Sequence, residues 1–533
     1  MSQKNHESVT VQWGQTWPSR EEFHELATQR RVIPVVRRFL ADELSAVGVY
    51  RQLAAHREGT FILESAEHDG AWGRWSFIGA GSGSSIIAEG GRARWTGTVP
   101  AGAVPEGTFL EVVHSALRTL KAEQIPGLPP LTGALVGALG WGIIPEWEPT
   151  LVPVAPCERQ VPDAVLCLAT EVVALDHHDG SVWLIANAWN LNGSDEGADE
   201  AYTQAVERLD TMCRDLTTPL TPAVFALPVN GNEENIPVVA HRTSQVDFES
   251  TVIAAKEAIR EGEVFQLVLS QRADVHTDVD GVNVYRVLRT VNPSPYMYYL
   301  RLPDGRGDSF EVVGSSPETL MKTRKGRVWT YPIAGSRPRG ATFSEDQKLA
   351  EELLHDPKEL SEHVMLVDLA RNDLSKVCDP ATVEVETLME IKRFSHIQHI
   401  SSTVTGCLRS DVDALDALVA TFPAGTLSGA PKPRAIRLID MLEPAARGVY
   451  GGVVGYFDLS GEADLAIAIR TAHLYQGVAS VQAGAGIVAD SVPETEYQET
   501  RNKAAAAVSA VMTASRMHPV SYENVGRSDD GRH

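Results

Sequence analysis

Glutamates recur in pairs three residues apart at two places in the C-terminal half of the sequence, Glu359 with Glu362 and Glu496 with Glu499. Asp356-Pro357 has the form of a helix start, with Asp as cap and Pro in the first turn, and helical periodicity runs from Lys358 to Asp373. Ser491 to Pro493 opens a second predicted helix, on which Glu496, Glu499 and Lys503 share one face. If the two acidic faces converge they can hold one hard divalent cation, because carboxylate oxygens suit Mg²⁺. The spacing fits equally well two solvated faces whose glutamates favour the helix dipole, so context has to decide.

Three segments carry more glycine and polar residues than a strand core needs: Pro332 to Gly340 (PIAGSRPRG), Gly425 to Lys432 (GTLSGAPK) and Gln482 to Gly486 (QAGAG). Glycines let a backbone approach a ligand and present N–H groups to an anion. None matches a Walker loop, and the last lacks the downstream glycine of a dinucleotide fingerprint, which argues against a nucleotide. Singly, each reads as well as a tight turn or bulge. Arg470 sits inside an apolar, strand-like alternation, Ile467 to Ala472, where a guanidinium has to be paired, by a structural carboxylate or by a ligand. His399 lies in a similar alternating segment, where a histidine is more often structural than catalytic.

The elements that must position these residues span most of the chain. Its 533 residues are long enough for two intimate lobes around a large core. Residues 1–20 read as an N-terminal extension, polar and without the basic start and apolar stretch of a signal peptide, so a cytoplasmic location is expected. Residues 21–190 alternate short apolar runs with glycine-rich turns and read as a mainly β lobe; Ala134 to Ile144 in it reads as buried sheet. A helix and a Pro/Asn/Glu-rich linker follow over 191–240, then a core of helices alternating with β-branched strands over 241–517, and a tail expected to be disordered over 518–533. Five widely spaced cysteines without a C-x-x-C pair read as reduced core thiols. A net charge of −23 argues against a nucleic-acid partner, and it repels any anionic substrate at long range. Such a substrate needs a local cationic site.

Taken in order, Phe265 to Arg272, the PIAGSRPRG loop, the helix with Glu359 and Glu362, Asp368 to Asp373, His399, the GTLSGAPK loop, Ile469 to Ala472, Gly484-Ala485-Gly486 and Glu496-x-x-Glu499-x-x-Asn502-Lys503 together resemble the chorismate-utilising enzyme family. The resemblance covers essentially all of 241–513. It implies an α/β (α+β) sandwich, two facing β-sheets with helices outside, and a cleft in the C-terminal core. It implies that Glu362 and Glu499 hold Mg²⁺ with Glu359 and Glu496 in support. Tyr450 and Arg470 match the pair that grips the pyruvyl carboxylate, while Gln266, Gly335, Ser336, Gly484, Ala485, Gly486 and Lys503 line the substrate. A dianion is then received by a metal, an arginine and backbone donors inside an acidic protein.

Within that family, members that use water carry a lysine where this chain has Gln266, and those that form a covalent amine carry one where it has Ala334. The absence of both implies ammonia as the nucleophile at C2, with Glu318 as the acid for the departing C4 hydroxyl, and His399 and Thr426 beside the ring for loss of pyruvate. The product implied is anthranilate, at the first committed step toward tryptophan. Leu63-Glu64-Ser65 and Pro295-Tyr296-Met297 resemble the two halves of the tryptophan feedback site in that branch; Ser336 in place of threonine and Ile62 in place of leucine are small departures. No glutaminase nucleophile is apparent, so the resemblance implies a glutamine amidotransferase subunit as partner, in a heterotetramer of two large and two small subunits. The alternatives are an enzyme that stops at aminodeoxychorismate and a catalytically silent tryptophan-binding regulator.

Overall fold

The computed structural model describes residues 8–520 apart from 56, 67–72, 159, 190–196, 221–222, 228–236 and 394–396. Parts of the linker expected over 191–240, and the tail beyond 520, lie outside the described residues. The tail does not begin disordered at His518: His518–Pro519 pairs antiparallel with Phe225–Ala226, because both segments are extended and each supplies the other's backbone partners.

Strand residues alternate between two faces, and here each face is buried against something different. Val36, Ile185, Tyr298, Val312 and Ala466 belong to a core to which no helix contributes a residue. Their chain neighbours Val35, Leu184, Tyr299 and Val313 pack instead under the helices Ala46–Leu53, Ala198–Thr217, Gly281–Val291 and Pro493–Ala514. Leu465 and Ile467, flanking Ala466, join a third core with the helices Phe109–Thr119, Gln245–Arg260, Pro357–Ser375 and Lys432–Leu442. A helix-free core between two helix-covered faces is a sandwich with helices outside, as the family resemblance implies.

The two expected lobes differ from the observed halves in one respect. Among the described residues 23 strands form a single hydrogen-bonded network, and it crosses the linker twice. Leu63 of Thr60–Glu64 lies opposite Tyr298 of Tyr296–Pro303, and Ala138 of Ala134–Leu139 lies opposite Val454 of Val453–Asp458. Strands buried on both faces leave backbone donors that only another strand can satisfy, so each half completes the other's ladder.

The buried sheet expected over Ala134 to Ile144 stops at Leu139, and Trp141–Glu146 is a 3-10 helix. At Gly140 the backbone packs so closely on Gly448 that a Cβ would lie 2.6 Å from its carbonyl oxygen, and Trp141 N–H donates to that same oxygen at 2.7 Å. The donor leaves the ladder there, and Pro145 has none to return.

A charged clamp also joins the halves. His114, on Phe109–Thr119, sits with Nδ1 3.0 Å from Asp413 and Nε2 3.5 Å from Asp416, the residues that cap Ala414–Thr421. Hydrogen bonds to the two carboxylates raise its pKa from 6.5 to about 9. A folded-state value above the unfolded one stabilises in full below about pH 6.5, and that contribution is lost as pH rises through about 9. His114→Gln should therefore lower the melting temperature by a few degrees at pH 6 and leave it nearly unchanged at pH 10. Thermal denaturation across pH checks this, and a gap that stays constant would show that the clamp does not act as a charge pair.

Candidate active site and effector cavity

Two strands set the floor of the cleft. Gln266–His276 pairs antiparallel with Val478–Ile487, placing Val268 opposite Gly486 and Ser270 opposite Gly484. The glycines matter for what they leave open: a Cβ on Gly486 would lie 2.7 Å from Gln266 Nε2 and 3.9 Å from Glu362 Oε1, and one on Gly484 would lie 2.7 Å from the Tyr450 hydroxyl. Gln266, Glu362 and Gly486 thus converge at one end of this floor, and Tyr450 meets Gly484 beside them.

The first acidic helix, Pro357–Ser375, begins where the sequence places it. Asp356 accepts from the N–H groups of Lys358 at 3.0 Å and Glu359 at 3.4 Å, a cap of about 1 kcal/mol that fixes the helix phase. His363, fully buried one turn on from Glu359, anchors the helix through Ser402 Oγ at 2.6 Å, beside the face that carries Glu359 and Glu362. Glu362 accepts a 3.4 Å hydrogen bond from Gln266 Nε2. Burial, then the charge of Glu359, pushes its pKa up. On the second helix, Pro493–Ala514, Glu499 pairs with Lys503 at 2.7 Å and Lys503 donates to the Gly484 carbonyl at 3.2 Å. Glu496 is 6% exposed, and burial with the Glu499 charge raises its pKa.

These four carboxylates do not close into a tight cage. Among the described residues the only three potential metal-ligating side chains with atoms mutually within 4.8 Å are those of the His114 clamp. The donor set still fits a hard divalent cation: all donors are carboxylate oxygens, and Glu362 and Glu496 are shifted upward by burial first and by the neighbouring Glu359 and Glu499 charges after it.

Against the first acidic helix, Ile333–Pro338 pairs with Ile397–Cys407, and Ser336 lies opposite His399 across a bulge at Gly335. Gly335 has φ +65°, the left-handed region, and its carbonyl accepts from His399 Nδ1 at 2.8 Å. That bond fixes the tautomer, with the proton on Nδ1 and Nε2 as the basic nitrogen. Burial lowers the His399 pKa to about 4, so the ring is neutral near pH 7. Arg337 reaches back to Asp356 at 2.8 Å and Glu359 at 3.5 Å, a brace that no motif in the sequence points to.

Arg470 is not inside a strand. It lies between Ala463–Ile467 and Thr471–Tyr475, with φ +50°, and among the described residues it forms no ion pair within 4.0 Å. The apolar alternation on either side is real, but the chain turns between the two strands and swings the guanidinium out of both. Its recessed position lowers its pKa, and it faces the charge of Glu318. Glu318 is raised to about 7 because burial outweighs a 2.8 Å hydrogen bond from Thr426 and the charges of Lys503 and Arg470. The structure therefore brings Glu318 together with Thr426, Arg470 and Lys503, while Lys503 and Tyr450 both meet Gly484. Gln266, Glu362 and Gly486 converge two residues farther along the same strand.

Leu63, Glu64, Ser65, Pro295, Tyr296 and Met297 line a separate cavity of about 840 Å³. Met297 lies opposite Glu64 in the ladder that joins the two halves. Glu64 accepts from the Tyr285 hydroxyl at 2.5 Å and from Arg289 at 3.1 Å, and the Tyr296 hydroxyl bonds Thr319 at 2.9 Å and Asp464 at 2.8 Å. Lys322, paired with Asp464 at 3.2 Å, also lines this cavity. Sequence reasoning missed it, although a lysine inside Thr319–Arg324 is the same kind of anomaly as Arg470. Pro317 and Thr319 face the cavity, while Glu318 between them turns to Thr426.

Residues 59–509 match the family described as chorismate binding enzyme. The chain belongs to this family. Among its relatives, the anthranilate synthase component 1 of Mycolicibacterium smegmatis is 50% identical over 502 residues, 94% of each chain. That of Arthrobacter globiformis is 48% identical over 508 residues, 95% of each. The crystal structure of anthranilate synthase component I from Streptococcus pneumoniae superposes with a TM-score of 0.68 at 33% identity, covering 88% of this chain and 98% of that one. The menaquinone-specific isochorismate synthase of Escherichia coli shares the fold at a TM-score of 0.66 and 20% identity. Among the described residues no helix is long and apolar enough to cross a membrane.

The Thr426 hydroxyl lowers the Glu318 pKa by donating to its carboxylate. Thr426→Val in this family member should therefore move the Glu318 titration above about 7, read as the carboxyl band in infrared difference spectra that Glu318→Gln abolishes. A downward move would contradict the hydrogen-bond assignment.

Proposed function

We propose that this chain is the chorismate-converting component of an anthranilate synthase, which aminates chorismate with ammonia and then expels pyruvate. The carrying observation is Glu318, a buried carboxyl hydrogen-bonded to Thr426 and facing the cation Arg470, with its pKa raised by burial to about 7. The extended identity to proteins named anthranilate synthase component 1 supports the same reading.

In this reading Glu362 and Glu499, with Glu359 and Glu496 behind them, would hold Mg²⁺, which when bound supplies positive charge for a ring carboxylate. Arg470 and the Tyr450 hydroxyl receive the pyruvyl carboxylate. Gly335, Ser336 and the backbone from Gly484 through Ala485 to Gly486 border the ring. Ammonia adds at C2, the ring double bond shifts, and Glu318 gives its proton to the C4 hydroxyl, which leaves as water. The product of this half-reaction is aminodeoxyisochorismate. His399 Nε2 stands as the base for the C2 proton, whose loss with pyruvate aromatises the ring to anthranilate. Glu318 and His399 suit opposite roles because burial keeps one carboxyl protonated and one imidazole neutral.

Gln266 offers no base for activating water, and Ala334 no amine for a covalent intermediate. A separate glutamine amidotransferase subunit, in a heterotetramer, would supply the ammonia. The cavity lined by Glu64 and Met297 is the candidate site for tryptophan as feedback inhibitor; its apolar walls and the Glu64 carboxylate suit an aromatic ring and an ammonium group.

The test is anthranilate fluorescence from chorismate, ammonium and Mg²⁺ with the isolated chain, with and without tryptophan. Anthranilate should form with ammonium and not with glutamine alone, and tryptophan should suppress it. Glu318→Gln should lower kcat by roughly 10²- to 10⁴-fold. As the acid acts while protonated, wild-type kcat should fall as pH rises through about 7. His399→Ala should accumulate the amino intermediate. Glutamine turnover by the isolated chain, or a product that stops at aminodeoxychorismate, would sink the assignment.

A further inference from the structure

Arg447 and Glu443 form a fully buried ion pair, 1% and 4% exposed, just beyond the helix Lys432–Leu442. The contact is bidentate: Arg447 Nε donates to Glu443 Oε2 at 2.9 Å and Nη2 to Oε1 at 2.7 Å. The remaining donors go to backbone, Nη1 to the Leu427 carbonyl at 2.7 Å and Nη2 to the Val268 carbonyl at 2.8 Å. Glu443 Oε1 also accepts from the Ser270 N–H at 2.8 Å and its hydroxyl at 2.7 Å, and Gln482 Nε2 donates to that hydroxyl at 2.8 Å. The guanidinium lies 4.3 Å from the Trp141 ring centre and 5.5 Å from that of Tyr450.

All of these partners but Trp141 adjoin or are residues of the cleft. Leu427 follows Thr426, the partner of Glu318. Val268 is opposite Gly486 and two residues from Gln266, Ser270 is opposite Gly484, and Gln482 precedes Gly484 by two. Tyr450 is itself a cleft residue. We propose that Arg447 and Glu443 are positioning residues: a rigid charged fork that sets the spacing between the Gly425–Leu427 turn, the strand Gln266–His276 and the Tyr450 ring, and so holds Thr426 and Tyr450 in register with the glycine floor.

Stability alone does not require this pair. Desolvating two charges cancels much of their attraction, and apolar residues of similar volume fill such a site as well. What an apolar pair cannot do is hold two backbone carbonyls at fixed distances through a planar fork. The arrangement predicts a site that loosens while the fold remains.

The test rests on the proposed reaction and uses the full-length protein with Mg²⁺, chorismate and ammonium. Wild type has first to make anthranilate. If it does not, the proposed function fails, and positioning is judged on chorismate affinity by calorimetry, with the same variants and the same criteria. The double replacement Glu443→Leu with Arg447→Met removes both charges. It is expected to melt within a few degrees of wild type yet lose about tenfold or more in kcat/KM for chorismate. In a Tyr450→Phe background that loss should shrink, because the two changes act through one contact. A stable double variant with wild-type kcat and KM would overturn the proposal, as would a loss fully additive with Tyr450→Phe. If the double variant does not fold, Ser270→Ala decides: it deletes one bond to Glu443, and a severalfold fall in kcat/KM at unchanged melting temperature supports positioning. Unchanged kinetics in Ser270→Ala would then overturn it.

Discussion

The antiparallel ladder between Gln266–His276 and Val478–Ile487 governs almost everything else in the cleft. Side chains alternate faces along a strand, so a slip of one residue would turn Gln266 away from Glu362 and put Ala485 where the backbone has to lie bare. With the register fixed, the two glycines of the floor become spaces of defined shape, one shared by Gln266 and Glu362, the other by Tyr450. Both acidic helices are then oriented relative to that floor, one by the Asp356 cap and the His363 anchor, the other by the reach of Lys503 to the Gly484 carbonyl.

Burial then does chemical work in two directions. The same loss of water that keeps a proton on Glu318 near neutral pH removes one from His399. A cleft with an acid and a base of inverted strengths lies inside a chain of net charge −23. Its cations, Arg470 and Lys503, are few and are presented by local structure: a left-handed turn for the first, a helix register for the second. An anionic substrate meets little long-range attraction from such a surface, so its recognition is concentrated in these short-range contacts.

Features set by neighbouring residues were legible in the sequence. Asp356-Pro357 announces its helix because cap and first turn are local chemistry, whereas the sandwich was legible only through the family resemblance. The acidic pairs were visible as pairs, but their spacing is equally that of a solvated helix, and only packing tells the two apart. Arg470 stood out as a charge among apolar residues, yet the turn that frees it from both strands depends on pairings with distant segments. The bulge at Gly335, the brace from Arg337 and the Lys322–Asp464 pair were hidden for the same reason: each is defined by residues far away in the chain. The crossing of the two halves was invisible too, since composition marks a linker and says nothing of which strands it reunites.

Pro317, Glu318 and Thr319 form a wall one residue thick, with the cavity lined by Glu64 and Met297 on one side and the Glu318 carboxyl, turned to Thr426, on the other. This short link between the strands Ser309–Ser316 and Thr319–Arg324 offers neighbouring side chains to different compartments, without any intervening layer to absorb a change. Reshaping the cavity at Pro317 or Thr319 therefore also resets the carboxyl that faces Thr426. Glu64 and Met297 line the same cavity from the ladder that joins the two halves, so it can be reshaped there without touching the link that carries Glu318.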